Sequence, residues 1–92
     1  MRPIHDALDI LGRRWALRLV WELRRDALSF SALRERCEVS PSVLTTRLRE
    51  LSDAGIVQRD LGKRYALTPS GRELARLLFE INRWAERSLP RS

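Results

Sequence analysis

Apolar residues recur at three- and four-residue intervals along most of this chain, so helices dominate the expected architecture. Ile4, Ala7, Leu8 and Leu11 mark a first short helix behind Pro3, whose fixed φ suits the first helical position, and Gly12 stops it. From Arg13 to about Arg25 the residues Trp15, Ala16, Leu17, Leu19, Val20, Trp21 and Leu23 are apolar around more than a single stripe. Such a helix is either the centre of the core or shared with a second chain. Leu28-Ser29-Phe30 then reads as a short extended piece. Ser31 is the expected N-cap of a third, short helix buried through Leu33 with help from Ala32 and Cys37. Ser40 as N-cap and Pro41 at the first helical position start a fourth helix that runs to about Ala54, where Gly55 ends it.

After Gly55 the period switches from helical to extended. Ile56 to Asp60 and Arg64 to Thr68 predict two strands of about five residues each, joined at Leu61-Gly62-Lys63 into a hairpin. Behind Pro69-Ser70-Gly71 a long amphipathic helix carries Leu74, Leu77, Leu78, Ile81, Trp84, Ala85 and Leu89 on its apolar side. The expected order is helix–helix–strand–helix–helix–hairpin–helix, a mainly α fold with one small β-hairpin (α+β). No repeat, low-complexity stretch or linker interrupts it, which predicts one domain over residues 1–92.

Ninety-two residues leave surface for one core and exclude a multidomain enzyme. The formal charge is +6, and seventeen of the eighteen basic residues are arginine, with Lys63 the exception. Arginine's planar fork matches phosphate and the acceptor edge of guanine, so the bias fits a polyanionic partner, although a GC-rich genome also favours arginine codons. One cysteine, Cys37, can form neither an internal disulfide nor a thiolate metal site. No apolar run approaches the roughly 20 residues of a membrane span, and the start lacks a signal-peptide pattern. The expected location is therefore the cytoplasm.

The short turn Arg36-Cys37-Glu38-Val39-Ser40 between the third and fourth helices has the spacing of a helix-turn-helix unit, whose second helix lies in a DNA major groove. With Leu44 at zero, Leu48 falls at about 40° and Leu51 at about 340°, so these three form the inward stripe. Ser42, Thr45, Thr46 and Arg49 stand on the far side, where hydroxyls and a guanidinium can reach phosphates and base edges. Glu50 and Asp53 near the helix end would repel phosphate, which suits insertion by the N-terminal half. Residues 26–54 carry a net −1, and the hairpin, with Arg59, Lys63 and Arg64 against Asp60, is the most charge-dense basic element. It is expected to lie on the DNA backbone and make binding salt-dependent.

Several strings together carry a family resemblance. They are Gly12-Arg13-Arg14-Trp15 at the start of the second helix, Ser40-Pro41-Ser42-Val43-Leu44-Thr45-Thr46-Arg47-Leu48 at the fourth, Ala54-Gly55-Ile56-Val57, and Leu67-Thr68-Pro69-Ser70-Gly71 after the hairpin. The chain resembles the HxlR-type winged helix-turn-helix regulators of bacteria and archaea over nearly its whole length. The resemblance implies a homodimeric transcription factor on a pseudo-palindromic double-stranded DNA operator. It carries DNA contact over to Ser40, Ser42, Thr45, Thr46 and Arg49, and phosphate contact to the wing. Arg47, on the flank of the inward stripe, can hold either an acidic neighbour or a phosphate. It also implies subunit contact through the first, fifth and part of the second helix, with Ile4, Leu8, Trp21, Leu78, Ile81 and Trp84 as the interface residues. Two positions depart from the family pattern. Arg2 stands where thiol-sensing members carry a cysteine, and the wing from Asp60 to Arg64 is shorter than the usual Pro-containing loop. The first removes the thiol switch; the second keeps the expectation of backbone contact and leaves minor-groove insertion open.

Other chemistry is thin. His5 with Asp6 and Asp9 lacks a fourth metal ligand, and no nucleophile–base pair or phosphate loop is present, so neither an enzyme nor a cofactor is expected. Two rivals remain: a winged helix that docks proteins without binding DNA, and a small-molecule sensor with a pocket lined by Trp15, Trp21, Phe79 or Trp84. For those aromatics plain packing is the favoured alternative.

Overall fold

The computed structural model describes residues 3–90, in the order α1 (Pro3–Leu11), α2 (Ala16–Glu22), α3 (Phe30–Cys37), α4 (Pro41–Asp53), β1 (Val57–Arg59), β2 (Tyr65–Leu67) and α5 (Pro69–Ser88). The mainly α architecture with one antiparallel hairpin is the one the sequence pattern predicts. Every element except α1 contributes to one buried apolar cluster, centred on Leu19, Val20, Leu33, Leu44, Leu48 and Leu51. No residue of α1 is buried; that helix lies against α2.

Local chemistry explains most boundaries. Ser40 Oγ accepts from Val43 N at 3.3 Å and Pro41 follows at the first helical position, so α4 begins where expected. Its end is a Schellman arrangement. Gly55 takes φ 74°, its N–H donates to Ser52 O at 3.0 Å, and the Ile56 N–H donates to Leu51 O at 2.9 Å. Thr68 then ties the base of the hairpin to α5: its Oγ1 donates towards Gly55 O (2.5 Å) and Ile56 O (3.1 Å) and accepts from Gly71 N at 3.0 Å. Gly71 is buried in this knot, and a Cβ placed there would collide with the Ile56 carbonyl oxygen. The Leu-Thr-Pro-x-Gly string is therefore a cap, a helix start and a close approach in five residues.

Four expectations need correction. The second helix begins at Ala16 and not Arg13, because Trp15 sits in the left-handed region at φ 78° and breaks the helix there. It ends at Glu22, where Arg24 Nη1 donates to Trp21 O at 2.9 Å and its guanidinium stacks 4.0 Å from the Trp21 ring. The third helix is capped by Ser29, whose Oγ accepts from Ala32 N at 3.1 Å, and not by Ser31. Phe30 thus becomes helical, and the extended piece shrinks to Leu28, which pairs with Tyr65 at the edge of β2 (N···O 2.9 and 2.7 Å). The strands have three residues each, Val57↔Leu67 to Arg59↔Tyr65, because the turn closes early. Asp60 N donates to Arg64 O at 2.8 Å and Lys63, at φ 62°, occupies the left-handed position of a three-residue loop. On α5, Gly71, Ala75 and Leu78 are buried, and Leu77, Ile81, Trp84 and Leu89 of its apolar side are exposed. Its apolar side is wider than one chain can cover.

Cys37 closes α3 within the core, and burial pushes its thiol above the ordinary range, with the nearby Arg18 opposing weakly. The thiol is held protonated at neutral pH. An acid whose pKa is raised by folding costs nothing below its unfolded value, about 8.5, and destabilises the fold as pH climbs through the folded value. Native Cys37 should accordingly react with a chromogenic disulfide reagent at pH 7.5 far more slowly than the urea-unfolded chain. Equal rates would contradict its burial. Gly71→Ala should lower the urea-unfolding free energy by about 1–3 kcal/mol through overpacking against Ile56, while Ser70→Ala beside it, on an exposed position, should leave the transition within about 0.5 kcal/mol.

Candidate nucleic-acid interface

Leu44, Leu48 and Leu51 are buried as the helical angles require, and this fixes which side of α4 faces out. Ser42, Thr45 and Arg49 are exposed on that side, and Thr45 and Arg49 make no side-chain hydrogen bond or ion pair to another described residue. Ser40 and Ser42 lie with their hydroxyls 3.5 Å apart at the helix start. Thr46 is half-buried and its hydroxyl donates to Ser42 O at 3.0 Å. That engagement leaves Thr46 its oxygen lone pairs and its methyl, and no free proton to give a phosphate.

Arg47 has the acidic neighbour that the sequence left as one of two options. Its Nη1 donates to Glu50 Oε1 at 3.0 Å and its Nε to the Arg14 carbonyl at 2.8 Å, with only 22% of the side chain exposed. The other oxygen of Glu50 accepts from Arg13 Nη1, so that carboxylate is neutralised from both sides and is not a free negative charge beside the helix. The i,i+3 spacing of Arg47 and Glu50 was a readable signal for their pairing. Arg13, 37 residues away from Glu50 in the chain, gave none.

On the hairpin, Lys63 projects from the tip, exposed, with no side-chain partner among the described residues. Arg59 lies 5.1 Å from the Tyr65 ring centroid and reaches the Lys63 carbonyl at 3.5 Å. Arg64 pairs with Asp60 at 3.2 Å. The Arg64 backbone N–H, donating to Asp60 Oδ1 at 2.9 Å, holds the Asp60 carboxyl below the usual carboxylate range, so the loop keeps this tie down to acidic pH. The three cations thus share one small arm, two of them braced and one free.

A second surface is apolar. Ile4 and Leu8, one turn apart on α1, are 60% and 62% exposed, and Leu77, Ile81 and Trp84 form an exposed stripe on α5. Leu78, grouped with these in the sequence, is instead buried in the core against α2 and has little area to offer a second chain. Trp21 is half-buried and meets Phe79 edge-on, with centroids 5.1 Å apart. A shallow apolar groove of about 330 Å³ between α2 and α5 is bordered by Leu17, Trp21, Leu78 and Ile81. Of the four aromatics considered for a ligand pocket only Trp21 reaches it. Among the described residues no helix is long and apolar enough to cross a membrane.

Comparison with known proteins agrees with this geometry. The model of the HxlR-like helix-turn-helix family matches residues 10–92. The HTH-type transcriptional regulator YvaP of Bacillus subtilis is 37% identical over 86 residues, covering 86% of this chain and 80% of that protein. Its counterpart MJ0925 of Methanocaldococcus jannaschii is 29% identical over 80 residues, covering 82% and 74%. Among solved structures, quinone-bound YodB from B. subtilis superposes with a TM-score of 0.86 at 30% identity, over 96% of this chain and all of that one. The redox regulator HypR in its reduced form gives 0.82 at 29% identity, over 94% and 92%. The chain belongs to the HxlR-like helix-turn-helix family and is a DNA-binding transcriptional regulator.

Proposed function

We propose that two copies of this chain bind a pseudo-palindromic operator, each placing its recognition helix, about residues 41–54, in the major groove and resting its hairpin, about residues 56–68, on the sugar-phosphate backbone. Residues 1–92 act as one domain, working in the cytoplasm at the nucleoid. The observation that carries the reading is the exposed ridge of Ser42, Thr45 and Arg49 opposite the buried leucines, with the Thr45 and Arg49 side chains free of partners among the described residues. Arg49 reaches guanine or a phosphate, Ser40, Ser42 and Thr45 supply hydroxyls at the helix entry, and Thr46 accepts from an exocyclic amino group or packs its methyl on thymine. Arg47 serves by holding the helix. Arg59, Lys63 and Arg64 neutralise the backbone beside it, with Lys63 the most available of the three. The exposed Ile4, Leu8, Ile81 and Trp84, with the rim of Trp21, support apposition of the two copies through α1 and α5.

A duplex enriched by the protein from a randomised pool provides the test. Fluorescence anisotropy should show affinity falling steeply with salt, and Arg49→Ala should weaken the enriched duplex by about 1–3 kcal/mol while leaving the melting temperature in place. Lys63→Ala should instead weaken all duplexes alike and flatten the salt slope by about one. Absence of binding even at low ionic strength would leave a protein-docking module as the surviving alternative. Sedimentation equilibrium should find a dimer that Trp84→Glu and Leu8→Glu convert to a folded monomer. A wild-type monomer at tens of micromolar would end the two-copy reading.

A further inference from the structure

The reading helix is tied to α1 by a polar chain that bypasses the apolar core. Glu50 on α4 is held through Oε1 by Arg47 at 3.0 Å and through Oε2 by Arg13. Arg47 Nε donates to the Arg14 carbonyl at 2.8 Å, in the loop that ends at the left-handed Trp15. Arg13 continues the chain into α1, with its Nε 3.3 Å from Asp9 O and its Nη2 3.7 Å from Asp9 Oδ2. No residue of α1 is fully buried, and Ala7, Ile10 and Leu11 are half-buried, so non-directional apolar contact holds α1 loosely and the ion pairs supply the direction. The four charged side chains of this clamp sum to zero, so it adds no net attraction to phosphate. Half-buried ion pairs of this kind add little net stability, but their directional bonds hold one geometry against others.

We propose that Arg13, Arg47 and Glu50 are positioning residues that set the separation of the two reading helices, and so the half-site spacing this regulator accepts. The proposal rests on the two-copy reading above, because α1 carries Ile4 and Leu8 to the partner while the clamp carries the position of α1 to α4. A loosened clamp lets each α4 shift relative to the docked α1 helices, and duplexes of several spacings then fit.

The experiment is selection from a duplex pool randomised over about three helical turns, carried out in parallel with the wild type, Glu50→Gln and Arg13→Ala, each checked for folding by circular dichroism. The two substitutions change the charge in opposite directions, so electrostatics alone predicts opposite shifts in non-specific affinity. The clamp predicts the same outcome for both: the wild type enriches paired half-sites at a single spacing, and both variants enrich several. Discrimination between the best duplex and one lengthened by one base pair should fall about three- to tenfold in each variant. Should both variants retain the single wild-type spacing, the clamp has no part in spacing and the proposal is overturned, with the two-copy reading intact. Enrichment of isolated half-sites by the wild type would remove the two-copy reading, and the proposal with it.

Discussion

Burial of Leu44, Leu48 and Leu51 is the constraint on which the rest of the molecule turns. Each buried leucine side chain stabilises by about 1.5–3 kcal/mol, and because the three lie within one narrow stripe they fix the rotation of α4 about its own axis as well as its place in the core. Everything on the opposite side follows from that rotation. A turn of 100° would submerge Thr45 and lift a leucine into water. The outward ridge is thus a by-product of apolar packing, and the residues occupying it are free to serve contact with a partner because the core makes no demand on them.

Around that seam the backbone is secured by a few positions where one side chain or the lack of one is decisive. Thr68 caps α5 while closing the base of the hairpin, Gly71 lets α5 approach the Ile56 carbonyl, and Gly55 reverses the chain between α4 and β1. These three place a short, stiff arm beside the end of the reading helix. The arm's own loop is held by Asp60 against Arg64, so its basic tip is presented by a braced turn. Trp15, Glu38 and Lys63 take left-handed backbone angles without being glycine, and all three lie at turns bordering α2, α4 or the arm. The cost of such angles is tolerated where the surrounding packing leaves the turn no alternative.

Charge is distributed in a way that matches this division of labour. The helix-turn-helix segment itself is slightly acidic, yet Glu50 is neutralised internally by two arginines, and Arg49 and Lys63, without side-chain partners among the described residues, sit on the ridge and the arm tip. The apolar surplus is segregated elsewhere, on α1 and on the side of α5 that the core does not reach. One molecule therefore offers two surfaces of different character, one hydroxylated and basic, the other greasy, linked by the short loop that contains Arg13 and Arg14.

The sequence by itself determined the five helices, the hairpin and their order, the start of α4 at Ser40-Pro41, its end at Gly55, and the inward set Leu44, Leu48 and Leu51. Those features depend on local propensity and on a helical period that no distant contact overrides. The caps within the family strings are equally local, Ser40 to Val43 and Thr68 to Gly71, whereas the approach of Gly71 to Ile56 spans the hairpin. What only the tertiary structure decided was where helices stop against one another and which apolar residues run out of core. Leu28 pairs with Tyr65 across the chain, Ala75 and Leu78 of α5 find cover while Leu77, Ile81 and Trp84 do not, and Arg13 engages Glu50 from 37 residues away. Periodicity gives a direction around a helix axis, but only the packed neighbours fix how much of that side finds cover and which charges meet.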